Sequence, residues 1–355
     1  MHTMPEIKSI KITRQMLAQI AELDEFRGAW TGFTLQRPEQ LKLLKRVSTL
    51  ESIGSSNRIE GNKLTDAEVE KLLSRINKKS FRSRDEEEVA SYAELMNTIF
   101  DNYPVIPLSE NHIKQLHRIL LQFVSKDERH RGKYKKLPNS VAAYDPDGKE
   151  IGVVFETATP FDTPRFMEEL VEWTRKNLDD PFLHPLIVIG VFVVHFLAIH
   201  PFQDGNGRLS RALTTMLLLK KKYDYVLYSS TESIIESSKE GYYRALRRTQ
   251  KGIWSGKVDY EPWLSFFLTT LQKQKRHLES KIGAMAGDDI KLSRNQRAIL
   301  NLFDDKPEWS SPEIAAQLHM NIETTKKNLK SLADNGYLIK HGSTKAAWYE
   351  MSGLR

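Results

Sequence analysis

The stretch Pro185-Leu186-Ile187-Val188-Ile189-Gly190-Val191-Phe192-Val193-Val194-His195-Phe196-Leu197-Ala198-Ile199 runs directly into His200-Pro201-Phe202-Gln203-Asp204-Gly205-Asn206-Gly207-Arg208-Leu209-Ser210-Arg211. The first part is the most apolar run of the chain. It falls short of the ~20 residues that span a bilayer and contains His195, so it reads as a buried central helix. Pro201 biases the residue before it away from helical geometry, which ends the helix near His200 and leaves the imidazole at its edge. Gly205 and Gly207 permit a tight turn and a close approach of ligand to main chain. A second apolar helix follows over 209–219, and its first amides point back at the loop. Free N–H groups and the helix dipole there favour an anion. Arg208 and Arg211 are three apart and share a helix face. Asp204 adds a carboxylate, and a carboxylate beside a phosphate site suits a bridging divalent cation, most often Mg²⁺. The inventory is that of phosphoryl or nucleotidyl transfer, with His200 as general base on an incoming hydroxyl. Singly, a histidine ending an apolar helix, a Gly-Asn-Gly turn or two arginines three apart are ordinary structural features. Here twelve consecutive residues carry all of them.

Around this centre the chain reads as helical. Leu41, Leu44, Val47, Leu50 and Ile53 recur at helical spacing over 35–54. Thr65 and Glu68 form a capping box before a helix over 64–75. Amphipathic helices are expected over 85–100 and 109–124, and a further helix over 163–178 starts at Thr163-Pro164. Between 131 and 160 the composition turns to Gly, Pro, Asn and β-branched residues. Asp145-Pro146-Asp147-Gly148 joins two strand-like runs, 140–144 and 151–157, into a hairpin suited to holding an extended peptide.

Composition narrows the class. The 355 residues carry 53 Lys plus Arg against 46 Asp plus Glu, a net charge of +7, and no cysteine. The mild basic excess allows nucleic acid or polyphosphate partners without requiring them. The missing thiols exclude a disulfide scaffold, a cysteine nucleophile, thiolate zinc and an iron–sulfur cluster. The N-terminus lacks the apolar stretch of a secretory leader. No membrane span and a cytoplasmic location are expected. There is no P-loop, no H-E-x-x-H and no G-x-S-x-G.

The string His200–Arg211 resembles the Fic family signature, HPFx(D/E)GNGRxxR, at every defined position. The resemblance covers roughly 50–270. It implies an all-α Fic core with a β-hairpin flap, and transfer of AMP from ATP to a hydroxyl of a protein, the chain itself included. By position it implies that His200 is the general base and that Asp204 holds Mg²⁺ against the α- and β-phosphates. Gly205, Asn206 and Gly207 would form the anion hole. Arg208 would contact the β-phosphate and Arg211 the γ-phosphate. Relatives with Lys in place of the second glycine act as kinases, and Gly207 favours AMP transfer. Ser56-Asn57-Arg58-Ile59-Glu60-Gly61 resembles the family's inhibitory motif, [ST]xxxE[GN], which implies that Glu60 pairs with Arg211 and displaces it from the γ-phosphate. Tyr242-Tyr243, with Gln250 seven residues on, resembles the adenine pocket, although the family more often has Asn where Gln250 stands. The flap is longer and more polar than in many relatives, so no target is legible in it. Two other uses fit the same core: removal of AMP from a modified protein, with Glu60 positioning water, and a DNA-binding regulator whose core senses ATP. Transfer of another nucleotide or of phosphocholine is a further alternative.

The expected organisation is an N-terminal helical region over 1–95 containing an inhibitory helix at about 50–62, a catalytic core over 96–272, a linker over 273–290 and a winged helix-turn-helix over 291–355. In the last segment Ser311 is read as N-cap with Pro312 behind it, helices run over 294–303 and 322–334, Asn335-Gly336 ends the second of these, and strands at 337–340 and 347–351 flank a wing. It holds ten Lys or Arg and seven Asp or Glu. Lys326, Lys327 and Lys330, with Lys340, His341 and Lys345, could contact DNA phosphates, though winged helices also bind proteins. Exposed helices leave room for a homodimer, with no interface legible.

Overall fold

Helix boundaries follow local capping chemistry. Ser83, Ser109 and Ser230 each accept a hydrogen bond from the amide three residues on, and each opens a helix. The Thr65–Glu68 capping box is present: Thr65 N donates to Glu68 Oε2 at 2.8 Å and Glu68 N to Thr65 Oγ1 at 3.4 Å. The structure is a computed structural model describing residues 4–6, 9–34, 38–74, 81–144, 150–287, 292–304, 306–334, 337–342 and 347–351. In chain order the elements are α1 (Arg14–Thr34), α2 (Pro38–Ile59), α3 (Asp66–Ser74), α4 (Arg84–Asn102), α5 (Glu110–Leu120), β1 (Ser140–Tyr144), β2 (Glu150–Glu156), α6 (Thr163–Leu178), α7 (Pro185–Ile199), α8 (Asn206–Lys220), α9 (Thr231–Ser237), α10 (Lys239–Gln250), α11 (Glu261–Gly287), α12 (Arg294–Asn301), β3 (Glu308–Ser310), α13 (Ser311–Gln317), α14 (Ile322–Asp334), β4 (Leu338–His341) and β5 (Trp348–Met351).

The chain divides into two compact units. One is Met1–Phe33 with Ser48–Leu278, and the other is Thr34–Val47 with Glu279–Arg355. The chain passes between them at the last residue of α1, within α2 and within α11. The stretch read as a linker from 273 is therefore helix as far as Gly287. Gln274 and Leu278, one turn apart, are fully buried and carry the helix forward.

In the first unit α7 is the core helix. Every residue from Leu186 to Ile199 is buried, against α6, α8 and α10. Each large aliphatic or aromatic side chain enclosed there contributes about 1.5–3 kcal/mol. His195 Nε2 shares a hydrogen with Tyr260 Oη at 2.7 Å, so this histidine is a satisfied core residue. Trp263 of α11 donates to Gly190 O at 2.7 Å. The hairpin is antiparallel from Ser140 opposite Glu156 to Tyr144 opposite Glu150, with two shifts of register. Its turn, Asp145-Pro146-Asp147-Gly148, lies outside the described residues. Trp254 fastens the returning strand: its Nε1 donates to Glu156 O at 2.9 Å, and its ring stacks on Phe155 and Phe166.

The second unit has its own apolar cluster, including Ile299, Leu300, Ile314, Leu329, Leu332, Leu338 and Tyr349. Ser310, rather than Ser311, caps α13: Glu313 N donates to Ser310 Oγ at 3.4 Å and Ser310 N to Glu313 Oε2 at 2.8 Å. Pro312 is then at the second helical position, where a missing N–H still costs nothing. A short strand the sequence did not announce, β3, completes the sheet β3-β5-β4. Asn335-Gly336 and Lys345 lie outside the described residues. Among the described residues no helix is long and apolar enough to cross a membrane.

Candidate active site

The loop between α7 and α8 is built on two left-handed residues. His200 caps α7 with φ 52°, and Gly205 caps α8 with φ 79°. No side chain caps α8, so the amides of Asn206, Gly207 and Arg208 stay available at a helix N-terminus. Asn206 holds the loop closed from inside: Phe202 N donates to its Oδ1 at 2.9 Å, and its Nδ2 donates to Phe202 O at 2.7 Å. Its side chain is thereby committed, and what it offers an anion is its backbone N–H. His117 of α5, fully buried, supports the same loop. Gly132 N donates to Nδ1 at 3.0 Å, which places the ring proton on Nε2, and Nε2 donates to Asp204 O at 3.0 Å. The ring stacks on Phe202 at 3.8 Å. Burial pulls the His117 pKa down to about 4, so the ring is neutral in this role near pH 7.

His200 is half-buried. Its Nδ1 donates to Leu197 O at 3.3 Å, which leaves the lone pair on Nε2. Burial lowers its pKa to about 4 against the opposing Leu197 hydrogen bond, and neighbouring Lys135 lowers it further. The backbone around it is pinned by Lys135 and Asn139. Lys135 Nζ donates to Asn139 Oδ1, Thr157 Oγ1 and Ile199 O at 2.7, 2.9 and 3.0 Å. Asn139 Nδ2 donates to His200 O at 3.3 Å and Phe202 O at 2.7 Å.

Arg211 is turned toward the end of α2. Its Nε donates to Ser56 Oγ at 2.8 Å, and its Nη2 donates to Ser56 O and Glu60 Oε1, both at 2.8 Å. Burial disfavours its charge, and the Glu60 carboxylate more than offsets that, so its pKa is raised. Glu60 does more than bind Arg211. Its carboxylate occupies the space a Cβ on Gly207 would fill, so it lies against the uncapped start of α8. Arg208 is 2% exposed, with Nη1 at 3.4 Å from Glu88 Oε2 and Nη2 at 3.5 Å from Asp204 Oδ2. Arg208 Nε and Arg211 Nη1 are buried donors without a partner among the described residues. Unsatisfied guanidinium donors at a helix N-terminus suit the oxygens of a polyphosphate.

Asp204 Oδ1 accepts from Gly205 N at 2.7 Å, and its outward Oδ2 accepts from Arg84 Nη2 at 3.0 Å. A single accessible carboxylate next to phosphate donors fits magnesium that arrives on a nucleotide, because this ion takes few protein ligands and keeps substrate oxygens. Among the described residues no group of three or more His, Cys, Asp or Glu forms an all-protein metal site. Tyr242 is buried in an edge-to-face cluster with Tyr243, Trp263 and Phe266, while Tyr243 is the more accessible ring. With Arg211 and Glu232, Tyr242 lines an enclosed cavity of about 30 Å³. Gln250 is buried at the far end of α10.

The structure thus brings His200, Asp204, Gly205, Asn206, Gly207, Arg208, Arg211, Ser56 and Glu60 together, with Tyr242 behind Arg211. Arg84, Glu88, His117, Lys135 and Asn139 escaped the sequence reading. None of them carried a signal: His117 lies in the buried stripe of α5 with Ile113, Leu116 and Leu120, and spacing alone does not connect it to the loop.

The Fic/DOC family profile matches residues 107–218, and a winged helix-turn-helix DNA-binding profile matches 292–339. Residues 107–218 are therefore a Fic/DOC family domain, followed by a winged helix. Protein adenylyltransferase Fic from Drosophila grimshawi is 25% identical over 257 residues, 72% of this chain and 48% of the relative. The protein of the same name from Drosophila willistoni is 26% identical over 259 residues, 72% of this chain and 46% of the relative. The chain thus spans about half the length of the curated relatives it matches. Among solved structures, a Fic family protein from Desulfovibrio desulfuricans superposes with a TM-score of 0.61 at 21% identity, covering 98% of both chains. A Fic domain containing signaling protein from Bacteroides thetaiotaomicron gives a TM-score of 0.60 at 27% identity, over 76% of this chain and 98% of the other.

Proposed function

We propose that this chain is a protein adenylyltransferase that moves AMP from ATP to a Ser, Thr or Tyr hydroxyl of a protein, itself included, and that Glu60 restrains it. The observation carrying this reading is the Glu60 carboxylate set against Gly207 and bonded to Arg211, where a phosphate of the nucleotide belongs. The amides of Asn206 and Gly207 with Arg208 and Arg211 bind the β- and γ-phosphates. Asp204 would hold magnesium, which when bound would neutralise phosphate charge. The target hydroxyl attacks the α-phosphorus, its proton passes to His200 Nε2, the bond to the β-phosphate oxygen breaks, and pyrophosphate leaves. Tyr243 and Gln250 border the adenine, and the strands at the flap align the target peptide.

The test is transfer of label from α-labelled ATP with magnesium. Glu60→Gly is expected to raise self-labelling roughly tenfold or more, the worth of a charge-assisted hydrogen bond removed from a competing partner. His200→Ala in that background is expected to lose ~10²–10⁴-fold. Equal labelling of wild type and Glu60→Gly overturns the restraint, and label from γ- but not α-labelled ATP overturns AMP transfer.

The winged helix supports a second partner. Lys326, Lys327 and Lys330 stand exposed along α14, within the matched winged-helix profile. Contact with a duplex backbone through these lysines predicts a gel shift at low salt that weakens steeply with added salt. A Lys326→Ala, Lys327→Ala, Lys330→Ala triple variant that shifts duplex as wild type does would sink it.

A further inference from the structure

Arg84 opens α4, outside the signature loop and outside the residues matched by the Fic/DOC profile, yet its side chain ends on that loop. Its Nη2 donates to Asp204 Oδ2 at 3.0 Å and to Asp127 Oδ2 at 3.3 Å, and its Nε donates to Glu88 Oε1 at 2.8 Å. Glu88 Oε2 in turn lies 3.4 Å from Arg208 Nη1, and Arg208 Nη2 lies 3.5 Å from Asp204 Oδ2. Arg84, Glu88, Arg208 and Asp204 close a ring of alternating charge. Burial is uneven around it. Arg208 and Glu88 are 2% and 12% exposed, whereas Arg84 and Asp204 are 43% and 40% exposed. The weak joint is the exposed one, between Arg84 and Asp204, because partly solvated pairs are worth little. Asp204 Oδ1 is committed to the Gly205 amide, so Oδ2 is the oxygen that can change partners, and Arg84 is on it.

We infer that Arg84 is the resident counter-cation of Asp204: its guanidinium covers Oδ2 in the nucleotide-free protein and yields that oxygen when a divalent cation arrives with a polyphosphate. Two consequences of opposite sign follow. Without a divalent cation, Arg84 neutralises Asp204 and Asp127 and so eases the approach of a bare polyphosphate. With one, Arg84 competes for the oxygen the cation needs. Arg84 is a positioning residue that sets how strongly nucleotide binding depends on the divalent ion. The nucleotide half of this inference rests on the ATP reading above, and the metal half does not.

The experiment compares full-length wild type with Arg84→Gln, each checked for an unchanged melting temperature. Mn²⁺ binding is followed by electron paramagnetic resonance without nucleotide. Binding of a non-hydrolysable ATP analogue is followed by calorimetry, once with Mg²⁺ and once with EDTA. Arg84→Gln is expected to bind Mn²⁺ roughly three- to fivefold more tightly, the worth of one partly exposed ion pair. It should bind the analogue at least as tightly as wild type with Mg²⁺, and about threefold more weakly in EDTA. In an Asp204→Asn background the Mn²⁺ gain should vanish. An unchanged or weaker Mn²⁺ affinity overturns the inference, as does a gain that survives Asp204→Asn. Equal loss of analogue affinity in both arms also overturns it, making Arg84 a phosphate ligand instead. If Glu60→Gly, with the phosphate site cleared, also binds no analogue in either arm, the ATP reading fails and the Mn²⁺ titration decides on Arg84 alone.

Discussion

The loop from His200 to Gly207 is held by neutral hydrogen bonds inside the core, whereas the end of α2 that covers it buries Ser56, Asn57 and Ile59 and is braced in addition by charges nearer the surface. Asn206, His117 and Asn139 grip the backbone of the loop at Phe202 and Asp204 with neutral hydrogen bonds. The end of α2 rests on Arg58, whose Nε and Nη2 meet the two oxygens of Glu236 at 2.7 and 3.0 Å, and whose Nη1 meets Asp66 Oδ1 at 2.8 Å. Arg58, Glu236 and Asp66 are 22%, 30% and 58% exposed. Buried polar groups that lose their partners cost about 1–3 kcal/mol each, while partly exposed ion pairs are worth about 0–1 kcal/mol. The surface that would receive phosphate is therefore the stiff partner, and the Glu60 side chain over it, 34% exposed, is the part that can let go.

Asn206→Ala strikes the stiff side and should have the largest effect. It removes both bonds to Phe202 and leaves the buried Phe202 N–H unpaired, while Asn139 still donates to the C=O. Urea unfolding should show a loss of about 1–3 kcal/mol. Self-labelling in the Glu60→Gly background should fall by at least ~100-fold, since misplaced phosphates forfeit the chemistry. Labelling within tenfold of the parent would show that the loop keeps its shape without this amide. Glu236→Gln strikes the releasable side and should have a smaller effect of opposite sign. It loosens Arg58, and with it the last turn of α2. Self-labelling should rise about two- to fivefold over wild type, less than for Glu60→Gly, with a stability change below about 1 kcal/mol. No rise in labelling would mean that Ser56 and Arg211 hold α2 unaided.

The same contrast explains what the amino-acid string reveals. The core helix α7 and the loop after it are contiguous, and their apolar run, proline, glycines and arginines each have local physical meanings. The α13–α14 pair and its wing were legible from caps and turns, with one slip: of two adjacent serines, the cap is the one placed three residues before Glu313. Arg84, Glu88 and His117 were not legible, because on their own helices they read as a solvated face or a satisfied core histidine. Their partners lie 120, 120 and 87 residues away, beyond any local pattern, at Asp204, Arg208 and Asp204 respectively. The stretch from 273 looked like a linker because its lysines and glutamate dominate. A single buried leucine in it, Leu278, was the sign of helix.

Asn139 stands immediately before β1 and, with the same amide nitrogen, holds the carbonyls of His200 and Phe202. The start of the hairpin and the seat of the imidazole consequently share one side chain. Any peptide that the hairpin took up would lie next to the residue whose side chain fixes the His200 backbone.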